Sequence, residues 1–237
     1  MTKESVIEDR VGVVHSFEPL GSFDGPGLRT VVFLSGCPMR CKYCHNPDML
    51  QGGGEKMTAC QVVEKCMRYR AYTKGGGVTL SGGEPLMQGE FTESLLELFR
   101  QKRVHTALDT AGSIYNERAL SLASLVILDI KHTSPRAFEE LCSYPWDNTM
   151  RTLEFLKKKR KRFWVRQVIV PGITDGEDNV RRLKEMAKGA EKIELLPYHT
   201  MGVHKWEKLG LEYPLKGVKE PTKATMDRLN GIISGKE

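Results

Sequence analysis

Three of the six cysteines, Cys37, Cys41 and Cys44, fall within a stretch of eight residues, while Cys60, Cys66 and Cys142 stand apart. Thiolates are soft ligands that suit zinc or iron–sulfur clusters. A structural zinc site needs four protein ligands, and His45, adjacent to Cys44, makes an awkward fourth corner of a tetrahedron. A four-iron cluster usually takes four cysteines. With three, one iron keeps an open position, and an open position on a metal is where a substrate or cofactor binds. The spacing points first to an open iron–sulfur cluster, with zinc and buried free thiols as alternatives. The three scattered cysteines read as small buried hydrophobes.

A second set of polar and glycine residues recurs at the ends of apolar, β-branched runs. Ser35-Gly36-Cys37 follows Leu28 to Leu34, and Ser81-Gly82-Gly83-Glu84 follows Gly77 to Leu80. Asp109-Thr110-Ala111-Gly112 follows Val104 to Leu108, and Asp129 and Lys131 close Leu125 to Ile130. Arg166 lies within Phe163 to Val170, and Pro197-Tyr198-His199 follows Lys192 to Leu196. Helical patterns separate these runs: Thr58 to Tyr72, Glu90 to Lys102, Asn116 to Leu122, Thr149 to Arg160 and Asp178 to Lys188, with a last one over Thr222 to Ile233. Thr58 and Asp178 have the chemistry of N-caps.

Strands alternating with helices imply a parallel sheet with right-handed crossovers. A full eight-fold barrel takes about 250 residues. The first 25 residues and the segment Thr200 to Glu220 read as additions. The expected fold is therefore α/β, a partial (β/α)6 TIM-like barrel with outer helices, in one domain. Its core spans 28–199, a polar tail 1–10 precedes it, and a C-terminal extension and helix occupy 200–237. Gly12 to Phe17 adds a short strand before the barrel. The C-terminal strand ends of a parallel barrel share one face, so the six polar sets are expected to converge there.

Composition fits a soluble globular protein, with 40% hydrophobic and 28% charged residues, and argues against disorder. No apolar stretch approaches the roughly 18 residues of a membrane helix. Met1 to Arg10 lacks the apolar centre of a signal peptide, so a cytoplasmic location with reduced thiols is expected. The net charge of +6 resides in Lys157-Lys158-Lys159-Arg160-Lys161-Arg162; without it, basic and acidic residues balance. A solvated helix end explains such a run. Docking of an acidic partner or of nucleic acid is the competing reading.

Cys37-Pro-Met-Arg-Cys41-Lys-Tyr43-Cys44, with its aromatic residue before the third cysteine, resembles the signature of the radical S-adenosylmethionine (SAM) superfamily. Within it the chain is similar to the glycyl-radical-enzyme activases, nearest to those acting on pyruvate formate-lyase. That resemblance rests on Asp24-Gly25-Pro26-Gly27, His45-Asn46-Pro47 and Gly75 to Thr79 running into Ser81 to Glu84. Leu195-Leu196-Pro197-Tyr198-His199 and His204-Lys205-Trp206 extend it to nearly the whole chain. Two features depart from the family: the polar tail, and Ala111 where Asn or Ser is frequent. The ferredoxin-like insert of many activases is missing, since Pro47 to Gly76 holds only Cys60 and Cys66.

The resemblance implies that Cys37, Cys41 and Cys44 hold three irons of a [4Fe-4S] cluster and that SAM chelates the fourth. Reductive cleavage would give a 5′-deoxyadenosyl radical, which removes a Cα hydrogen from a glycine of pyruvate formate-lyase. Gly82, Gly83 and Glu84 would run along the methionine end of SAM, Glu84 accepting from its ammonium group. Tyr43, Cys44, His45, Asp109, Asp129, Ile130, Lys131, Arg166 and His199 would line the same pocket. Lys131 and Arg166 are suited to the cofactor carboxylate, and His199 to ribose or adenine. Asp109, Thr110 and Asp129 are implied to hold a monovalent cation, with caps and salt bridges as the alternative. Asp24 belongs with the catalytic residues, on a loop facing the partner's glycine. His204-Lys205-Trp206 reads as a second partner surface or as ordinary packing of one Trp. Reduced flavodoxin or ferredoxin is the implied electron donor, and a monomer is expected. Competing functions are another glycyl radical enzyme as target, a radical enzyme acting on a small molecule or nucleic acid, and a non-catalytic metal protein.

Overall fold

The computed structural model describes residues 7–235; residues 1–6 of the expected polar tail lie outside them. Six parallel strands form where the β-branched runs lie: β2 (Arg29–Leu34), β4 (Gly77–Gly82), β5 (Thr106–Thr110), β6 (Leu125–Asp129), β7 (Phe163–Ile169) and β8 (Lys192–Pro197). Two further strands, β1 (Val11–Gly21) and β3 (Glu55–Thr58), extend the sheet to eight in the order β3-β1-β2-β4-β5-β6-β7-β8. β1 runs antiparallel to β2 and outlasts the expected Gly12 to Phe17 strand. β3 escapes the sequence pattern because Glu-Lys-Met-Thr has no apolar run; it pairs with β1 alone, at the edge. The curved sheet stays open between its edge strands, β3 and β8.

The helices are α1 (Ala59–Met67), α2 (Gly89–Gln101), α3 (Glu117–Leu122), α4 (Pro135–Cys142), α5 (Asp147–Lys158), α6 (Glu177–Met186), α7 (Val203–Lys208) and α8 (Lys223–Ser234). Thr58 caps α1 with a full capping box, its hydroxyl accepting from Gln61 N while the Gln61 side chain accepts from Thr58 N. Asp178 is not a cap: Gly176 takes that place, and Asp178 sits in the first turn, where its charge suits the dipole. α1, α2 and α6 turn an apolar stripe to the main core on the sheet, while α4 buries Phe138, Leu141 and Cys142 against the cysteine loop. α2 buries Phe91, Leu95, Leu96, Leu98 and Phe99, each contributing roughly 1.5–3 kcal/mol of transfer free energy. α4 was hidden from periodicity by its shortness, although Ser134-Pro135 is a legitimate helix start.

Strand parity decides what faces the barrel interior. Val78, Leu80, Leu108, Val126, Leu128, Ile130 and Val165 point outward to the helices and join the main core. Their alternate neighbours point inward. Ala107, Leu125 and Ile127 form a small apolar floor with Trp164. Ser81, Asp109, Asp129 and Arg166 lie one or two residues further along the same strands. Ile130 is thus fully buried among core residues rather than beside a cofactor, and its carbonyl accepts from Gln167 Nε2 at 2.9 Å.

The basic run closes α5 and turns into the start of β7. Lys161 Nζ donates to Ser121 O at 2.6 Å, and Arg162 pairs with Glu191 at 2.6 Å. The run lies at the N-terminal ends of the strands, opposite the face that carries the cysteines. Lys157, Lys158, Lys159 and Arg160 are exposed, while Lys161 and Arg162 are tied to neighbouring connections.

At the same end, His105 faces the fully buried Arg29 guanidinium at 3.3 Å, with Arg162 and Glu191 nearby. Burial first, then Arg29 and Arg162, push the imidazole down to about 4. A folded value below the unfolded one, about 6.5, means that the unfolded chain binds the proton better. Stability is expected to be undiminished by this group above pH 6.5 and to fall as pH drops towards 4. Urea titrations of His105→Gln should show a flatter dependence between those limits; an unchanged slope would exclude His105 as its source.

Candidate functional site

The loop after β2 carries the cysteines and is fixed on both sides. Gly36 N donates to Met49 O at 2.7 Å, and Cys44 N to Cys41 O at 3.0 Å. Arg40 N and Lys42 N donate to Cys142 O and Leu141 O, at 2.7 and 2.9 Å, tying the loop to the end of α4. Residues 39, 41 and 43 face inward while Arg40 and Lys42 are exposed. Met39, Cys37, Cys41, Tyr43 and Cys142 share one apolar cluster with Phe138 and Tyr198.

The cysteines line a cavity of about 310 Å³ at the C-terminal ends of the strands. Asp24, Tyr43, His45, Gly82, Gly83, Asp109, Thr110, Asp129, Lys131 and His199 line it with them. The paired glycines are required by contact: a Cβ on Gly82 would lie 2.2 Å from Leu34 O, and one on Gly83 2.3 Å from Gly36 O. The strand end and the cysteine loop can therefore touch only if both side chains are absent.

Burial pushes the Cys37 thiol up to about 12 and Cys44 to about 11. A hydrogen bond with Cys142 and burial hold Cys41 well above the ordinary thiol value. Free, these groups keep their protons; a metal must displace them, since the thiolate is the ligand. Burial opposes the charge on Lys131, but Asp129, Tyr43 and Cys41 outweigh it and raise the ammonium well above its usual value. Lys131 Nζ lies 2.6 Å from Asp129 Oδ2 and 5.6 Å from the Tyr43 ring centre. His45 and His199 meet edge to face at 4.7 Å. Burial and then His199 push His45 down.

Three residues expected at the cofactor lie outside the cavity lining. Glu84 is fully buried and does not line the cavity. Its Oε1 accepts from Leu86 N and Thr110 Oγ1, and its Oε2 from Ala111 N and Ser113 Oγ, at 2.7–3.1 Å. Its side chain is a clamp on the loop after β5 and is not aimed at an ammonium group. Arg166 is also outside the lining. Its guanidinium contacts Glu194 at 3.0 Å and Asp109 at 3.6 Å, and donates to Phe23 O at 2.8 Å. Ile130 is the third: strand parity turns its side chain to the main core, between Asp129 and Lys131, which line the cavity. Glu194 is a partner that sequence reasoning missed, although its alternation in β8 marks it as inward-facing.

The alternative weighed for Asp109, Thr110 and Asp129 is the one the contacts favour. Asp109 accepts from Ser81 Oγ at 3.0 Å and faces Arg166, Asp129 pairs with Lys131, and the Thr110 hydroxyl serves Glu84 and Gly112 N.

Asp24 reaches the cavity by an inward fold. The β1–β2 loop turns at the N-terminal end of β2, but Thr79 Oγ1 donates to Asp24 O at 2.7 Å and Arg29 Nη1 to Pro26 O at 3.0 Å. Burial, followed by the Asp109 charge, raises the Asp24 carboxyl.

Of His204-Lys205-Trp206, Lys205 and Trp206 pack against the cysteine loop while His204 is exposed. Trp206 Nε1 donates to Cys44 O at 2.9 Å, and Lys205 Nζ to Asn46 Oδ1 at 2.7 Å, with Asp48 at 3.2 Å. A Cβ on Gly202 would lie 2.6 Å from His45 O. α7 therefore clasps the cysteine loop. Cys66 and Cys142 are buried as expected, but Cys60 is only partly so, with its thiol 3.7 Å from Glu64.

Among the described residues, no three His, Cys, Asp or Glu side chains converge on the position of a single metal ion. The three thiols instead border a cavity, as the corners of a larger group require. Tyr43 Oη, Asp129 Oδ1 and His199 Nδ1 are buried without a hydrogen-bond partner, and all three residues line that cavity. Buried polar atoms left unpaired are rare and need a cause. A polar ligand beside a thiolate-held cluster supplies one, so the residues fit both groups.

Residues 31–183 match the family model of the radical SAM superfamily. The chain is 42% identical over 234 residues to a pyruvate formate-lyase-activating enzyme of Clostridium pasteurianum, covering 94% of this chain and 97% of that one. It is 40% identical to pyruvate formate-lyase 1-activating enzyme of Escherichia coli (strain K12), covering 94% and 95%. Among solved structures, Streptococcus suis SuiB bound to precursor peptide SuiA superposes with a TM-score of 0.66 at 15% identity, over 87% of this chain and 45% of that one. This last likeness concerns the fold.

Proposed function

The chain belongs to the radical SAM superfamily and, within it, to the pyruvate formate-lyase-activating enzymes, and from that premise we propose how its residues carry out glycyl-radical activation. The observation that carries the reading is the cavity that joins three thiols to three unpaired polar atoms. Cys37, Cys41 and Cys44 hold a [4Fe-4S] cluster. When bound, cluster and SAM together supply the electron and the 5′-deoxyadenosyl radical that acid–base chemistry cannot make.

The protein's part is binding and orientation. Lys131, whose charge Asp129 stabilises, faces the cofactor carboxylate. Gly82 and Gly83 admit its methionine end by leaving backbone groups bare. His199 and Tyr43 donate to, or accept from, its remaining polar groups. Arg166 acts at one remove: by holding Asp109, Glu194 and the Phe23 carbonyl together, it sets Asp24 at the cavity, where the partner's glycine is presented. Glycine suits abstraction because it has no Cβ to block approach. Pyruvate formate-lyase is the protein substrate, and reduced flavodoxin or ferredoxin is the donor. The basic run faces away from the cluster and is not the donor's dock. No observation calls for a monovalent cation beside Asp109, Thr110 and Asp129, so we do not include it. We place the reaction in the cytoplasm and the enzyme as a monomer. No helix among the described residues is long and apolar enough to cross a membrane.

The test is electron paramagnetic resonance after anaerobic reconstitution with iron and sulfide, with reductant, SAM and purified pyruvate formate-lyase. A glycyl radical doublet is expected. A cluster signal that responds to SAM without any doublet would keep the chemistry and move the search to another glycyl radical enzyme.

A further inference from the structure

The connection from β2 to β3 carries the three thiols, and its two halves are fastened differently. The half with Cys37 and Cys41 is tied to other elements by its backbone. Glu84 N donates to Gly36 O at 2.8 Å, and Arg40 N and Lys42 N donate to the carbonyls that end α4. From Cys44 onward the backbone bonds stay within the connection: Cys44 N, Met49 N and Leu50 N donate to Cys41 O, Asn46 O and Pro47 O at 3.0–3.2 Å. Side chains fasten this half to its surroundings. Trp206 and Lys205 of α7 hold Cys44 O, Asn46 and Asp48, and His15 of β1 lies 3.4 Å from Asp48. Cys44 is also less buried than Cys37 and Cys41.

Trp206 is itself held on two sides. Its buried ring meets Tyr213 edge to face at 5.5 Å, and the Tyr213 hydroxyl lies 2.8 Å from that of the buried Tyr198. Leu209 N and Leu211 N donate to the Trp206 carbonyl at 3.1 and 2.9 Å. The indole N–H is therefore aimed at Cys44 O by its own packing, before any metal arrives. The carbonyl and the thiol of Cys44 hang from one Cα, so fixing the first restricts where the second points. Groups one bond beyond a metal ligand orient that ligand and tune the centre. The potential of an iron–sulfur cluster responds to nearby hydrogen bonds and to exposure.

We propose that Trp206, seconded by Lys205, is a positioning residue for the cluster: it holds Cys44 in place as the third ligand, so the segment beyond β8 is part of the cluster site. This rests on the function proposed above, and in it on Cys44 as a ligand. Trp206 acts through Cys44 O, and Lys205 through Asn46 and Asp48. Ordinary packing of one tryptophan predicts something different. Loss of the indole N–H would then change the stability of the metal-free chain at most, and would leave a loaded cluster with its parent spectrum and lifetime.

The experiment uses Trp206→Phe, which keeps a ring and removes the N–H, together with Lys205→Met and Lys205→Arg. Each full chain is reconstituted anaerobically with iron and sulfide. Two readings are taken: the rate at which an excess of chelator strips the iron, and the electron paramagnetic resonance spectrum of the reduced cluster. For Trp206→Phe the rate is expected to rise by about ten- to a hundredfold, the usual effect of losing a partner of a metal ligand, with the spectrum displaced from the parent's. Lys205→Met should show a smaller rise that Lys205→Arg reverses. His204→Ala, at the exposed neighbouring position, should behave as the parent does. Where Trp206→Phe fails to fold, Trp206→3-benzothienylalanine gives the same two readings, since it keeps the indole shape with sulfur in place of the N–H. Parent values of rate and spectrum in a variant lacking the N–H would overturn the proposal, and so would an equal loss of iron from His204→Ala. A parent chain that loads no cluster would instead count against the function on which the proposal rests.

Discussion

Replacing Cys41 by Ala is expected to abolish SAM cleavage and to remove most of the iron bound after reconstitution. Cys41 is the middle thiol of the loop and the most deeply held, with its backbone neighbours bonded to the end of α4. Removing it leaves two thiols, and two cannot retain a cluster that already has one iron without a protein ligand. The fold should tolerate the change. The lost sulfur costs about 1 kcal/mol of buried area, and the loop keeps its hydrogen bonds to Cys142 O and Leu141 O. The control is Cys60→Ala, at a partly exposed thiol on α1, which should bind iron and cleave SAM as the parent does. Iron content, the visible absorption of the cluster and 5′-deoxyadenosine yield are the readouts. A Cys41→Ala protein with full iron and full activity would remove Cys41 from the ligand set, and a Cys60→Ala protein without iron would move the cluster elsewhere.

The placement of the parallel strands was legible because each is a run of β-branched residues ended by glycine or a polar group. Their shared face was legible because parallel strands end together. Less visible was the direction of each side chain within a strand. Asp129 and Lys131 face inward and Ile130 outward by the period of two, so parity alone places the Ile130 side chain in the core. The Glu84 clamp could not be read this way. A strand-end carboxylate looks the same in sequence whether it turns to the cavity or to the four donors of the next loop. Trp206 illustrates a third limit. Its bond to Cys44 O joins residues 162 positions apart, and no local pattern reports such a contact. β3 was missed because an edge strand of four residues needs only one partner and no apolar face.

The four donors on Glu84 make its conservative replacement costly. Each carboxylate oxygen faces one backbone N–H, from Leu86 on one side and Ala111 on the other. The hydroxyls of Thr110 and Ser113 can reverse their protons; the amides cannot. A glutamine therefore has to set its NH2 group against a fixed N–H donor whichever way it is flipped. Ionic hydrogen bonds become neutral and at least one buried donor is stranded, at about 1–3 kcal/mol for the stranded group. For a chain of this size that corresponds to a fall in Tm of roughly 3–10 °C. The consequence reaches the cofactor, because Thr110 and Ala111 line the cavity. Glu84→Gln should bind SAM more weakly in proportion to the loosened wall, with the cysteines still loading iron. If instead Glu84→Gln unfolds at the parent temperature and loses only SAM affinity, the carboxylate is a direct ligand of the cofactor, and the clamp seen here is a resting arrangement that binding breaks.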